Sequence, residues 1–83
     1  MTASRQLHIR FFAVLREQAG LSALDVTTSA RTPAELYAEL AASHGLTFSA
    51  SLLRVAINDC YATMDTPLSP GDRVVFIPPV AGG

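Results

Sequence analysis

The residues best suited to chemistry stand at the C-terminal end, Pro78-Pro79-Val80-Ala81-Gly82-Gly83. Gly82 and Gly83 carry no Cβ, so a partner's groups can approach the terminal carboxylate closely and backbone angles closed to other residues are open. Six residues reach roughly 20 Å at about 3.3 Å each, enough to enter a narrow channel. The paired prolines hold the root extended and lower the ordering cost of docking. A free carboxylate is a poor electrophile because its charge is delocalised. Activation as an acyl-adenylate removes that protection, and a soft nucleophile such as sulfide or a thiolate then attacks the carbonyl carbon. Frayed, glycine-bearing ends are common, so Gly-Gly alone is ambiguous. The direct exit from the last strand and the stop at the second glycine favour a chemical handle.

The other reactive side chains are few. Cys60, the single cysteine, stands beside a turn and reads as a partly buried bystander rather than a reactive thiol. His8 and His44 are isolated from each other and from Cys60, so no metal site is expected. No phosphate-binding glycine loop is present, so no cofactor is expected on the chain and any ATP must be held by another protein. All six basic residues are arginines, namely Arg5, Arg10, Arg16, Arg31, Arg54 and Arg73. Without a lysine amine, the protein cannot form lysine-linked chains of itself.

Composition sets the scale. At 83 residues and 8.8 kDa the chain has room for one small core and little for a deep substrate pocket. With 49% hydrophobic and 16% charged residues it reads as globular, and a net charge of -1 gives no electrostatic hold on nucleic acid. No apolar run approaches the roughly 20 residues of a membrane helix, so no membrane association is expected. No secretory apolar segment follows Met1–Arg5, and the cytoplasm is the expected compartment.

The elements that must position the tail follow from periodicity. Leu7, Ile9 and Phe11 alternate with polar residues, which predicts a strand over Gln6–Phe12 with Phe12 pointing away from the core. Ala13–Ala19 holds helix formers closed by Gly20, and Leu24–Thr28 reads as a second strand. Thr32-Pro33-Ala34-Glu35 is a capping box opening a helix that carries Leu36, Tyr37, Leu40 and Ala41 and stops at Gly45. Residues Thr47–Ser51 read as irregular. Arg54–Ile57 and Cys60–Thr63 form two short strands joined by an Asn58-Asp59 turn. Pro70-Gly71 fits a type II turn before a last strand, Arg73–Ile77. Leu7, Ile9, Phe11, Val26, Leu36, Leu40, Val55, Ile57, Val74 and Phe76 are the expected core. The fold class is α+β, a mixed sheet with one main helix packed across it and a short additional helix. Residues 1–77 form the domain and 78–83 a flexible tail.

Phe11-Phe12-Ala13 with Arg16-Glu17 and Gly20, Val55-Ala56-Ile57-Asn58, Asp65-Thr66-Pro67-Leu68, Pro70-Gly71-Asp72 and the ending Val75-Phe76-Ile77-Pro78-Pro79-Val80-Ala81-Gly82-Gly83 together resemble the small, sulfur-carrier subunits of molybdopterin synthase (MoaD type). The resemblance spans nearly the whole chain and implies a ubiquitin-like β-grasp fold. It implies that a ubiquitin-activating-like adenylyltransferase spends ATP to adenylate Gly83 and that a sulfur donor converts it to a thiocarboxylate. The tail, Pro78 to Gly83, would then insert into the large subunit of a heterotetrameric complex. There the sulfur passes to cyclic pyranopterin monophosphate to build the molybdopterin dithiolene, in a catalytic pocket that belongs to the partner. The small subunit alone is not an enzyme.

The same resemblance places contacts to the large subunit at Phe12, Tyr61 and Ile77. Two departures touch that surface: Ile77 stands where a second aromatic is frequent, and Arg73 where an acidic residue is common. A thiamine-type sulfur carrier shares the chain end but not the Phe11-Phe12-Ala13 start or the Pro78-Pro79 entry. A ubiquitin-like protein modifier and a docking domain with an inert tail are the remaining alternatives.

Overall fold

In Arg5–Phe11, strand β1, alternation buries Leu7, Ile9 and Phe11 at no more than 1% exposure while Gln6, His8 and Arg10 face out. The structure is a computed structural model and describes residues 4–79. β1 begins and ends one residue earlier than the sequence pattern predicts. The chain turns at Ala13, whose φ of 51° takes it off the ladder, so Phe12 becomes the residue that precedes helix α1, Ala13–Ala19. Gly20 closes α1 at φ 77°, a left-handed angle that glycine adopts without a Cβ penalty.

Strand β2, Ala23–Thr28, returns antiparallel along β1. Helix α2, Pro33–His44, starts where Thr32 Oγ1 accepts a hydrogen bond from the Glu35 N–H at 3.3 Å. The expected capping box is only half formed. Glu35 Oε1 accepts from the Arg31 N–H at 3.1 Å, one residue before the position a reciprocal box requires. At the far end the N–H groups of Gly45 and Leu46 both donate to the Ala41 carbonyl, which satisfies the open last turn. A 3-10 turn at Ala50–Leu52 occupies part of the stretch expected to be irregular.

Strands β3, Arg54–Ile57, and β4, Cys60–Ala62, form a hairpin. Its two turn residues, Asn58 and Asp59, both have positive φ, at 53° and 69°, the combination that matches the twist of paired strands. Strand β5, Arg73–Ile77, is entered through Pro70-Gly71: Gly71 sits at φ 84° and the Asp72 N–H donates to the Ser69 carbonyl, the expected type II arrangement. The sheet order is β2-β1-β5-β3-β4, with β1 and β5 parallel and the other neighbours antiparallel. The last strand thus runs down the middle of the sheet.

α2 lies across one face of this sheet. Its Tyr37 ring meets Phe76 of β5 edge-on, centroids 5.3 Å apart, and the Tyr37 hydroxyl donates to the Phe48 carbonyl at 2.7 Å. Burial raises the pKa of that hydroxyl above the ordinary tyrosine value. Thr28 Oγ1 donates to Glu39 Oε2 and accepts from the Ala30 N–H, which ties the end of β2 to α2. The expected core residues are buried except Val26 and Ile57, which are only partly covered because they lie toward the ends of the sheet's apolar face. Leu15, Ala30, Tyr37, Leu46, Leu53 and Leu68 join the core from outside the predicted set.

Candidate functional site

The sheet face away from α2 is where the predicted contact residues fall. Registers define its rows. Arg54 of β3 is opposite Ile77 of β5, and Ile77 shares a hollow with Phe12. In the next row, Arg10, Val75, Ala56 and Tyr61 are successive cross-strand partners. His8 and Arg73 pair in the third. Apolar groups therefore run from Phe12 and Ile77 through Val75 and Ala56 to Tyr61.

Phe12 is 44% exposed and Tyr61 77% exposed; a third exposed large hydrophobic, Leu52 at 59%, lies in the 3-10 turn outside this strip. Phe12 and Ile77 meet in a hollow of about 580 Å³ whose wall also includes Ala13, Phe48, Pro78 and Pro79. Pro78 is buried and Pro79 exposed, so the tail root starts from the wall of this hollow. Tyr61 is on the same face but at the edge strand, outside the hollow, so the three predicted contact residues form a strip rather than a single cluster. Phe48 is a lining residue the sequence does not flag, because it lies in an irregular stretch with no periodicity to read.

Local backbone explains how Phe12 is held. Position 12 precedes a helix, where serine, threonine, aspartate or asparagine normally caps the first N–H groups. Phe12 provides no such bond. The following Ala13 occupies the left-handed region, at a cost of roughly 1–2 kcal/mol for a residue with a Cβ. α1 thus starts without a capping side chain and after an alanine at positive φ, and the Phe12 ring is left exposed.

Charge on this face is divided. Behind the apolar strip, His8 Nδ1 lies 2.7 Å from Asp25 Oδ1 and Arg73 donates to Asp59 Oδ2 at 2.7 Å. Arg73, at a position where the resemblance leads to the expectation of an acidic residue, therefore finds a carboxylate within the chain. Cys60 is exposed, contrary to the partly buried position expected of it, because the β3–β4 hairpin forms the sheet's outer edge. Among the described residues no three His, Cys, Asp or Glu side chains are grouped to hold a metal ion. A separate hollow of about 530 Å³ lies between β2 and α2 and shares no wall residue with the tail root. Val80, Ala81, Gly82 and Gly83, the expected tail and reacting terminus, lie outside the described residues.

A five-stranded mixed sheet in this order, with one long helix across it, defines a ubiquitin-like β-grasp protein. The sequence pattern described as the ThiS family matches residues 9–83, and the chain belongs to that family. It is 35% identical over 80 residues to the molybdopterin synthase sulfur carrier subunit of Escherichia coli (strain K12), covering 93% of this chain and 99% of that protein. Among solved structures, the complex of subunits 1 and 2 of molybdopterin-converting factor from Helicobacter pylori 26695 matches with TM-score 0.61 and 30% identity. That match covers 94% of this chain and 99% of the other. SAMP1 from Haloferax volcanii shares the fold at TM-score 0.77 and 24% identity, over 94% of this chain and 99% of its own. No helix among the described residues is long and apolar enough to cross a membrane.

Proposed function

We propose that the chain is the sulfur-carrier subunit of a molybdopterin synthase. The observation that carries this reading is the 35% identity to a named sulfur carrier subunit over 93% of the chain. The hollow joining Phe12 and Ile77 to Pro78 and Pro79 agrees with it, since a partner that grips the strip also receives the tail. In the proposed cycle the Gly83 carboxylate attacks the α-phosphorus of ATP on an activating adenylyltransferase, forming the acyl-adenylate and releasing pyrophosphate. A persulfide donor supplies sulfur to the carbonyl carbon, AMP leaves, and a thiocarboxylate remains once the donor's S–S bond is reduced by a thiol. The charged tail enters the large subunit, where its sulfur forms a C–S bond to cyclic pyranopterin monophosphate in place of a C–O bond, and water hydrolyses the resulting acyl–sulfur bond so that Gly83 returns to the carboxylate. Two such deliveries build the dithiolene. This chain's own residues supply the handle and the docking strip of Phe12, Tyr61 and Ile77; the pocket for the pterin belongs to the partner.

The test is intact-mass measurement after incubation with ATP, the activating enzyme and a persulfide donor. The expected product is heavier by one sulfur in place of one oxygen, with the change localised to Gly83. Deletion of Gly83 removes the shift and leaves the thermal transition unaltered. A full-length chain that never gains sulfur under these conditions overturns the proposal. Recovery with a thiazole synthase instead of the large subunit assigns the same chemistry to thiamine.

A further inference from the structure

We infer that Arg10 and Arg54 select the docking partner through carboxylates on its surface, an inference that rests on the proposed carrier role. Arg54 is the cross-strand partner of Ile77, and Arg10 that of Val75, so the two guanidinium groups flank the apolar strip from opposite sides of β5. Both residues are exposed, and neither side chain has a hydrogen-bond or ionic partner among the described residues. Arg16, also without such a partner, shares a recess with Arg10 beside Phe12. Glu17 is the one carboxylate lining the hollow at the tail root. Asp25 and Asp59 line a second hollow with Arg10 and Phe12, yet they contact His8 and Arg73 rather than Arg10, so the three arginines at the tail end of the face outnumber the carboxylates free to meet them.

His8 and Arg73, one row further back, each have a carboxylate partner within the chain, Asp25 and Asp59. The contrast fixes the chemistry of the occupant. Covering Arg10 and Arg54 without partners strands two cations in a drying interface. A surface that offers carboxylates on both sides of an apolar depression answers them with charge-assisted, bidentate bonds. The chain's net charge of -1 gives no general electrostatic hold on a polyphosphate, so the occupant is a protein. Opposite charges of this kind act chiefly on encounter rate and on rejection of wrong partners.

The experiment measures association of the full-length chain with the molybdopterin synthase large subunit of the same organism, at low and at high salt. The double variant Arg10→Glu/Arg54→Glu is expected to associate at least about tenfold more slowly at low salt and to lose most of the salt dependence. Arg10→Lys/Arg54→Lys keeps most of both, which separates charge from packing. Unchanged melting temperatures show that the variants fold. A double-glutamate variant that associates like the parent, with the same salt slope, overturns the inference while the carrier role stands. If the parent forms no complex at all, the inference and the carrier role fall together.

Discussion

The two faces of the sheet are built from alternate residues of the same strands and have opposite characters. In β5, Val74 and Phe76 are fully buried under α2, while Val75 and Ile77 between them stay partly exposed on the other side. In β1, Leu7 and Ile9 are buried and His8 and Arg10 are not. The covered face is apolar except at its Arg5–Thr28 end, and there both side chains find hydrogen-bond partners within the chain. The open face mixes aromatic rings, arginines without a partner among the described residues, a His8–Asp25 contact and an Arg73–Asp59 ion pair, and it includes an alanine at positive φ beside an uncapped helix start. Natural sequences depart from local stability rules mainly where function requires it. One face of this sheet holds the fold together, and the other is the one assigned to docking in the proposed function.

That division can be broken most forcefully at Phe76. Phe76→Ala removes a fully buried ring and its edge contact with Tyr37, and should cost about 3–5 kcal/mol in urea denaturation, enough to unfold much of the population. A loss near the surface range would mean that the covered face is not the structural one.

Tyr37 sharpens the comparison on the same side. Tyr37→Phe removes the bond to the Phe48 carbonyl and should cost about 1 kcal/mol near neutral pH. The pH dependence has a definite sign. Because burial raises the folded-state pKa of this hydroxyl, the unfolded chain ionises first. The parent's extra stability is thus complete below the ordinary tyrosine value and disappears as the pH climbs through the raised one. Denaturation midpoints of parent and Phe variant should converge in that alkaline window; parallel curves would show that Tyr37 does not titrate as a buried group.

The smallest effect on stability, with a large one on docking, is expected at Phe12. Phe12→Ser exposes no core and supplies a capping oxygen to α1, so stability should stay within about 0.5 kcal/mol of the parent or rise slightly. Binding to the large subunit, measured by calorimetry, should weaken by at least about tenfold. A clear loss of stability with intact binding would reverse the roles assigned to the two faces.

Much of this was legible along the chain. Alternation in Leu7, Ile9 and Phe11, the Thr32-Pro33 helix start, the Gly20 and Gly45 stops and the Asn58-Asp59 and Pro70-Gly71 turns are local signals, each expressed within a few residues, and the structure contains all of them. The reciprocal arm of the capping box failed because Glu35 reaches the Arg31 N–H instead. Leu15, Leu46, Leu53 and Leu68 escaped the predicted core because short helices and loops carry too little periodicity to reveal a buried side. Strand parity put Phe12 and Ile77 on one face, yet it could not say how near they were.

The sequence by itself determined the Gly82-Gly83 pair, the absence of lysine and which strand residues share a side, since these depend on residue type and on the two-residue period of a strand. Tertiary structure alone decided that β5 runs between β1 and β3. That pairing brings Phe12 to Ile77, sets Arg10 and Arg54 on either flank and adds Phe48 to the tail root. The reason is that strand neighbours are chosen by non-local hydrogen bonding and by burial under α2. No short-range rule encodes which of several compatible edges closes against another.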